Sequence, residues 1–328
     1  MKTIDGNTMV CEVGEESLLE YILRTLRGFE EGLLPRGDDA AALEFHGNLV
    51  MAVDMFVEKT DKPEKMSWRD AGYKAVVSSL SDLAAKGAEP KYLLVSLGLR
   101  RDMKVREFNE LWSGVLECSS EYDVVILGGD LGEADNVVID VTCIGCGDRL
   151  IPRNGARVGD LIAVTGEFGK TGAALHALLN GEEVDNRLLE AFLRPRARIR
   201  EGKALAGTGA VSSCIDSSDG LAFSLSQITR LSGVAAVIHS LPASREAEEY
   251  ASRHSLEINN LVLYSGEEYE LVFTFNRDKL DDVKTALESV GCRLLVIGEI
   301  AEGQGVYLKT REGDVVKLRT GGFEHFKV

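Results

Sequence analysis

The segment Val211-Ser212-Ser213-Cys214-Ile215-Asp216-Ser217-Ser218-Asp219-Gly220-Leu221 reads as a short apolar strand that ends in two carboxylates three residues apart and turns at Gly220 into a helix. Strands that feed helices through tight turns are the pattern of an α/β chain. Acids at such a junction are placed to ligate a metal ion. The arrangement recurs at Gly37-Asp38-Asp39-Ala40-Ala41, Val53-Asp54-Met55, Leu80-Ser81-Asp82-Leu83 and Leu127-Gly128-Gly129-Asp130, each setting Asp beside small or apolar neighbours. A chain so supplied is expected to hold hard divalent cations and, with them, a polyphosphate.

Working outward from this segment, residues 221–231 read as a helix capped by Ser218 or Asp219, and 202–206 as the start of the helix before the strand. Residues 161–165 form a buried strand that turns through Gly166-Glu167-Phe168-Gly169-Lys170-Thr171-Gly172 into a helix over 173–179. Glycines at a strand-to-helix junction suit a phosphate, or equally a tight turn that lets the two elements pack closely. The Walker spacing is not met, because Val164 stands where its first glycine belongs. Strands are expected at 234–239, 270–275 and 293–298, with a helix over 278–290. Toward the N-terminus, thirteen residues that read as mobile precede a helix over 17–26. A hairpin of strands 41–45 and 49–57 follows around His46-Gly47-Asn48, then a helix over 67–87. Strands at 93–99, 124–127 and 137–144, with a helix over 105–122, complete a first sheet. The polar stretch 149–159, with Pro152 and Gly155, marks a boundary between domains 1–150 and 151–328. The fold class is therefore α/β plus α+β, sheets layered with helices in both halves.

At 328 residues the chain exceeds the size one core usually serves, and 45% hydrophobic residues support two. Lys and Arg number 37 against 53 Asp and Glu, a net charge of −16, which disfavours nucleic acid and anionic lipid as partners. Positive charge concentrates only in Arg194-Pro195-Arg196-Ala197-Arg198-Ile199-Arg200, a size that suits one phosphate group or a solvated helix start. No apolar run reads as a membrane span or a signal peptide, so the cytoplasm is the expected compartment. Six scattered cysteines do not form the dense framework of a secreted scaffold, and Cys143-Ile144-Gly145-Cys146 has no second pair to complete a zinc site. The five histidines show no metal spacing.

A single aspartate at a turn is more often a cap than a ligand. Asp82 within a helix and Asp54 within an apolar strand have no capping role, which makes them the first ligands to expect. Lys74 and Lys170 are available to phosphate. Phosphoryl transfer asks mainly for positioning and charge neutralisation, so a kinase can lack an evident general base.

Taken together, Gly37–Ala41, Ser81-Asp82-Leu83-Ala84-Ala85-Lys86-Gly87-Ala88, Gly128-Gly129-Asp130, Arg153-Asn154-Gly155-Ala156-Arg157-Val158-Gly159-Asp160, the Asp216–Leu221 turn, Ser265-Gly266-Glu267-Glu268-Tyr269-Glu270-Leu271 and Gly322-Phe323-Glu324-His325-Phe326 resemble the thiamine-monophosphate kinase family nearly end to end. That family is grouped with aminoimidazole ribonucleotide synthetase and selenophosphate synthetase. The resemblance implies a PurM-like fold: an N-terminal domain whose mixed sheet forms a barrel across a homodimer, and a C-terminal α+β domain that closes over nucleotide and substrate. It implies Mg2+ ligands at Asp39, Asp54, Asp82, Asp130, Asp216 and Asp219, with Asp82, Asp130 and Asp219 as the catalytic carboxylates. ATP contacts fall on Gly129, Arg153 and Ser218, and the acceptor pocket on Glu267 and Phe323. An aromatic at Phe323 suits a thiamine ring, and Glu267 its positive charge.

The chain departs from the family pattern at four places. Ala52-Val53-Asp54 replaces Ser-Thr-Asp, Asp61 stands where a His is usual, Glu268 replaces Asp and Ser265 replaces Gly. If Asp61 faces the substrate, it favours the thiamine cation. The expected activity is ATP-dependent phosphorylation of thiamine monophosphate. The alternatives are a synthetase of the same superfamily acting on an amide oxygen or another acceptor, and a nucleotide-binding dimer without turnover.

Overall fold

The computed structural model describes residues 5–27, 40–310 and 313–321. It divides into two units, one running to Leu83 and resuming over Glu89–Asp148, the other made of Ala84–Ala88 and the chain from Arg149 onward.

In the first unit α1 (Val10–Val13) and α2 (Glu15–Thr25) precede β1 (Leu49–Val57), α3 (Glu58–Asp61), α4 (Trp68–Ala85), β2 (Glu89–Leu99), α5 (Val105–Glu121), β3 (Val125–Glu133) and β4 (Val138–Cys146). The strands lie in the order β1-β4-β2-β3, with β1 and β3 as edges. Every second residue of β4 is buried, including Ile139, Val141 and Cys143, so this sheet has one covered face and one open face. The cover includes α4, whose Ser79 hydroxyl donates to Val141 O at 2.9 Å. α5 buries Phe108, Leu111, Trp112 and Val115.

Several expectations change here. Residues 41–46 have no regular structure, because β1 finds its partner in β4, Leu49 opposite Cys146, and makes no local hairpin. The N-terminal stretch is held in place: Met9 bridges Lys104 and Val10 N donates to Met103 O. β3 continues through Gly128-Gly129, so Asp130 lies within a strand and not after one. Cys143 and Cys146 both sit on β4, where residues three apart point to opposite faces, so they cannot chelate one ion.

In the second unit β5 (Leu161–Val164), α6 (Lys170–Asn180), α7 (Asn186–Leu193), α8 (Ile199–Thr208), β6 (Val211–Asp216), α9 (Leu221–Ser232), β7 (Ala235–Ile238), α10 (Arg245–Arg253), α11 (Ile258–Tyr264), β8 (Leu271–Phe275), α12 (Leu280–Ser289), β9 (Leu295–Ala301), β10 (Gly305–Lys309) and β11 (Val315–Lys317) follow. The strands form a seven-stranded sheet among the described residues, ordered β11-β10-β7-β9-β5-β8-β6. Both faces are covered. Ile162 and Val164 pack with Leu221, Leu225 and Ile228 of α9, while the alternate residues Leu161 and Ala163 pack with Leu205 of α8 and Val283 and Leu287 of α12. β6 is an edge, and Asp216 ends it. No helix among the described residues is long and apolar enough to cross a membrane.

Candidate active site

In the first unit strand register decides where the acids point. Asp54 lies opposite Val141 on β4, Val141 opposite Val95 on β2, and Val95 opposite Gly129 on β3. Val95 and Val141 are buried, so Asp54 belongs to the covered face. Asp82, half-buried between Ser81 and Leu83 on α4, faces the same side. Its charge acts on the Cys143 thiol, which burial and then Asp82 push up to about 12. Cys143 lies opposite Ala52, two residues along β1 from Asp54. Asp54 and Asp82 therefore flank one patch of the sheet.

Asp130 does not join them. It pairs with Ser96, which pairs with Asp140, and this row lies on the open face. Three strand spacings of about 4.8 Å put its backbone ~14 Å from that of Asp54, and on the opposite face. Within one chain a single ion cannot take both. Gly129 beside it is sterically required, since a Cβ there would meet Val95 O at 1.7 Å. Asp61 turns back on its own helix, its Oδ2 accepting from Val57 N at 2.7 Å. A cavity of about 550 Å3 in this unit is lined by Arg24, Arg27, Ser120 and Asp123 and by none of the expected acids.

In the second unit the turn after β6 carries buried Asp216, exposed Ser218 and half-buried Asp219. Neither Ser218 nor Asp219 caps α9 as expected. Gly220 takes the N-cap position and no side chain bonds there, because the turn is fixed from elsewhere. Glu267 N donates to Ser218 O at 2.7 Å, Tyr269 N to Ser217 O at 3.0 Å, and Ser217 N to Glu270 O at 2.9 Å. Glu267 and Tyr269 adopt left-handed backbone, φ 66° and 52°, a conformation that costs energy outside glycine and persists where surrounding bonds over-determine it. Asp216, Asp219 and Glu267 are thus placed by one interlocked pair of loops. Arg153 is exposed on a stretch that runs beside β6, where Cys214 N donates to Pro152 O at 2.9 Å.

The glycine-rich loop before α6 receives an anion from the protein itself. Gly169 N donates to Glu268 Oε1 at 2.5 Å, and the 265–270 loop is tied to the helix again by Thr171 Oγ1 donating to Gly266 O at 2.8 Å. Burial raises the Glu268 carboxyl to about 7 against the pull of Gly169 and Thr171. The basic run has an internal partner too: Arg198 Nε donates to Glu270 Oε2 at 2.8 Å and its Nη1 to Glu201 at 3.1 Å. Sequence reasoning missed these uses of Glu268, Glu270 and Arg198. It also missed Lys86, whose Nζ donates to Cys214 O at 2.9 Å and whose charge, like that of Asp216, reaches the Cys214 thiol. Asp39 and Phe323 lie outside the described residues. Among the described residues no group of three or more His, Cys, Asp or Glu gathers as a metal cage.

Comparison with known proteins places these features in context. Residues 37–146 match the family of the AIR synthase related protein N-terminal domain, and 157–311 that of its C-terminal domain. The thiamine-monophosphate kinase of Pyrococcus horikoshii is 37% identical over 294 residues, covering 89% of this chain and 91% of that protein. AaThiL complexed with AMPPCP and TMP superposes with a TM-score of 0.77 at 28% identity, covering 97% of this chain and 99% of that one. The hydrogenase maturation protein HypE in complex with ATP gives a TM-score of 0.81 over 97% of this chain and 98% of its own, and at 20% identity that likeness bears on the fold alone.

Proposed function

We propose that this chain, which belongs to the thiamine-monophosphate kinase family, transfers the γ-phosphoryl group of ATP to thiamine monophosphate, giving thiamine diphosphate and ADP. The observation that carries this reading is the relationship over nine-tenths of the chain to a kinase of that name, joined to the full-length likeness to a structure complexed with AMPPCP and TMP.

Asp216 and Asp219 in one turn, and Asp54 and Asp82 on one face of a sheet, are oxygen donors in pairs. Mg2+ takes one or two carboxylates per ion and fills its other positions with phosphate oxygens and water, so such pairs suit it. Bound Mg2+ neutralises triphosphate charge and polarises the γ-phosphoryl group. We assign these four acids, with Asp39 and Asp130, to holding metal, and the Ser218 hydroxyl, Arg153 and the Gly129 backbone to the nucleotide.

Glu267 receives the acceptor's cationic ring. Arg319 stacks over Tyr264 at 4.2 Å, which sets the last described stretch of chain beside the acceptor loop. By the family resemblance, Phe323 would cover the ring. Asp61 keeps one oxygen on Val57 N, and its charge favours the same cation. An acceptor phosphate oxygen attacks the γ-phosphorus in line as the bond to the β-phosphate breaks. A phosphate with a second pKa of about 6 is largely dianionic at neutral pH, so no general base is required.

β1 presents Leu49, Met51, Val53 and Met55 to solvent, 50–63% exposed, along an edge strand. This row supports a homodimer paired through the first unit. Six cysteines scattered along the chain, without the dense spacing of a secreted disulfide scaffold, suit a cytoplasmic setting. Incubation of the purified protein with Mg-ATP and thiamine monophosphate tests the activity: equimolar ADP and thiamine diphosphate are expected, and ADP formed only with a different acceptor would replace this reading.

A further inference from the structure

The 265–270 loop is stretched between two anchors. On one side its backbone amides at Glu267 and Tyr269 are spent on Ser218 O and Ser217 O, in the turn that carries Asp216 and Asp219. On the other side its hold on the first turn of α6 consists of the Glu268 carboxyl, bonded by Gly169 N and by Thr171, and of Gly266 O, bonded by the Thr171 hydroxyl. Glu268 lies between the two residues in left-handed conformation, 8% exposed. Close contact runs along this side as well, since a Cβ on Gly172 of α6 would meet Ser265 Oγ at 2.1 Å.

A helix N-terminus favours an anion, and at the end of a glycine-rich turn that anion is often a ligand's phosphate. Here the protein fills the place with its own side chain. The bond therefore joins two parts of the chain about a hundred residues apart in sequence. Glu267 directly precedes it, its own amide held by Ser218 O, so the hold on the Glu268 carboxyl limits where the side chain of Glu267 is aimed.

We propose that Glu268 is a positioning residue which ties the acceptor loop to the start of α6 and so sets where Glu267 meets the acceptor. The inference rests on the kinase reading for the identity of the acceptor alone; the tether does not depend on it. It also assigns the glycine-rich turn to loop anchoring, and phosphate binding there would require Glu268 to leave.

Steady-state kinetics with each substrate varied in turn, on Glu268→Ala, Glu268→Gln and Glu268→Asp, tests the proposal together with amide hydrogen exchange at Glu267 and Tyr269. Glu268→Ala is expected to raise KM for thiamine monophosphate roughly tenfold or more, the loss of a hydrogen bond to a charged group, with KM for ATP within about twofold. The two amides should exchange faster. Glu268→Gln keeps an acceptor oxygen for Gly169 N–H and should recover most of both properties. Equal changes in the two KM values, or an unchanged acceptor KM with unchanged exchange in a folded Glu268→Ala protein, would overturn the tether. If Glu268→Ala does not fold, Glu268→Asp, one methylene short, is read by the same criteria. If the wild-type protein forms no thiamine diphosphate, the kinase reading falls by itself. The exchange measurement then decides the tether: faster exchange in the Ala but not the Gln variant supports it, and no difference removes it.

Discussion

The two sheets of this protein bury themselves differently. β5 in the second unit is buried at all four residues, with helices on both faces, and its acids are fixed by bonds between loops of the same unit. The first unit covers one face of its sheet and leaves the alternate residues of β1 in solvent, Met51 at 63%. Its acids are fixed by register, which sends Asp54 to the covered face and Asp130 to the open one. One unit closes its own site; the other carries an apolar row that asks for a cover.

The largest effect should come from the self-contained side. Asp219→Asn removes a ligand charge from a turn whose backbone is held by Glu267 N and Tyr269 N, so the fold should persist while kcat falls by on the order of 10²–10³. Coupled ADP release with parallel calorimetry reads both, and wild-type turnover would move metal binding away from this turn. On the open side, the double change Met51→Lys with Val53→Lys places charge on the exposed row. Light scattering should show a dimer reduced to a monomer, and an unchanged mass would show that the exposed row of β1 is not the open face's partner site.

How far the sequence could be read follows the same division. Strand alternation and helical spacing gave α4, β1, β4, β6 and α9, whose signals are local. The 41–45 hairpin failed because β1 pairs with a strand some ninety residues away, and β3 was cut short because Gly128-Gly129 carry no side-chain signal. Strands β10 and β11 and helices α7, α10 and α11 were not anticipated. The Asp216–Asp219 turn was legible because its acids are adjacent in sequence. The separation of Asp54 and Asp82 from Asp130 was not, since it depends on which residues face one another across three strands. Nor could residue type tell that Glu268 and Arg198 spend their charge inside the protein, or that a fixed turn would leave Ser218 and Asp219 off the cap of α9.

A smaller effect is expected at Glu268, read as stability. Its folded pKa of about 7 lies above the ordinary 4.5, so the folded protein binds more protons than the unfolded chain between those values. The contribution is fully present below pH 4.5 and is lost as pH rises through 7, on the order of 3 kcal/mol at most. Burial supplies the reason, with the Glu270 charge adding to it, and the hydrogen bonds from Gly169 and Thr171 offset it only in part. Glu268→Gln, neutral throughout, should flatten the fall in melting temperature between pH 5 and 8. A slope equal to wild type would mean that the carboxyl titrates near its usual value.

Asp130→Asn should have the mildest consequence and the sharpest bearing on the open face. If Asp130 serves an ion separate from that of Asp54 and Asp82, the variant should need more Mg2+, a shift of a few-fold in the half-saturating concentration at nearly constant maximal rate, about 1 kcal/mol. The separation of ~14 Å across the sheet argues for that outcome over a collapse in kcat. A loss as large as that of Asp219→Asn would mean that Asp130 meets the same phosphates as the turn after β6. In that event the open face is part of the reaction centre and not only the surface that seeks a partner.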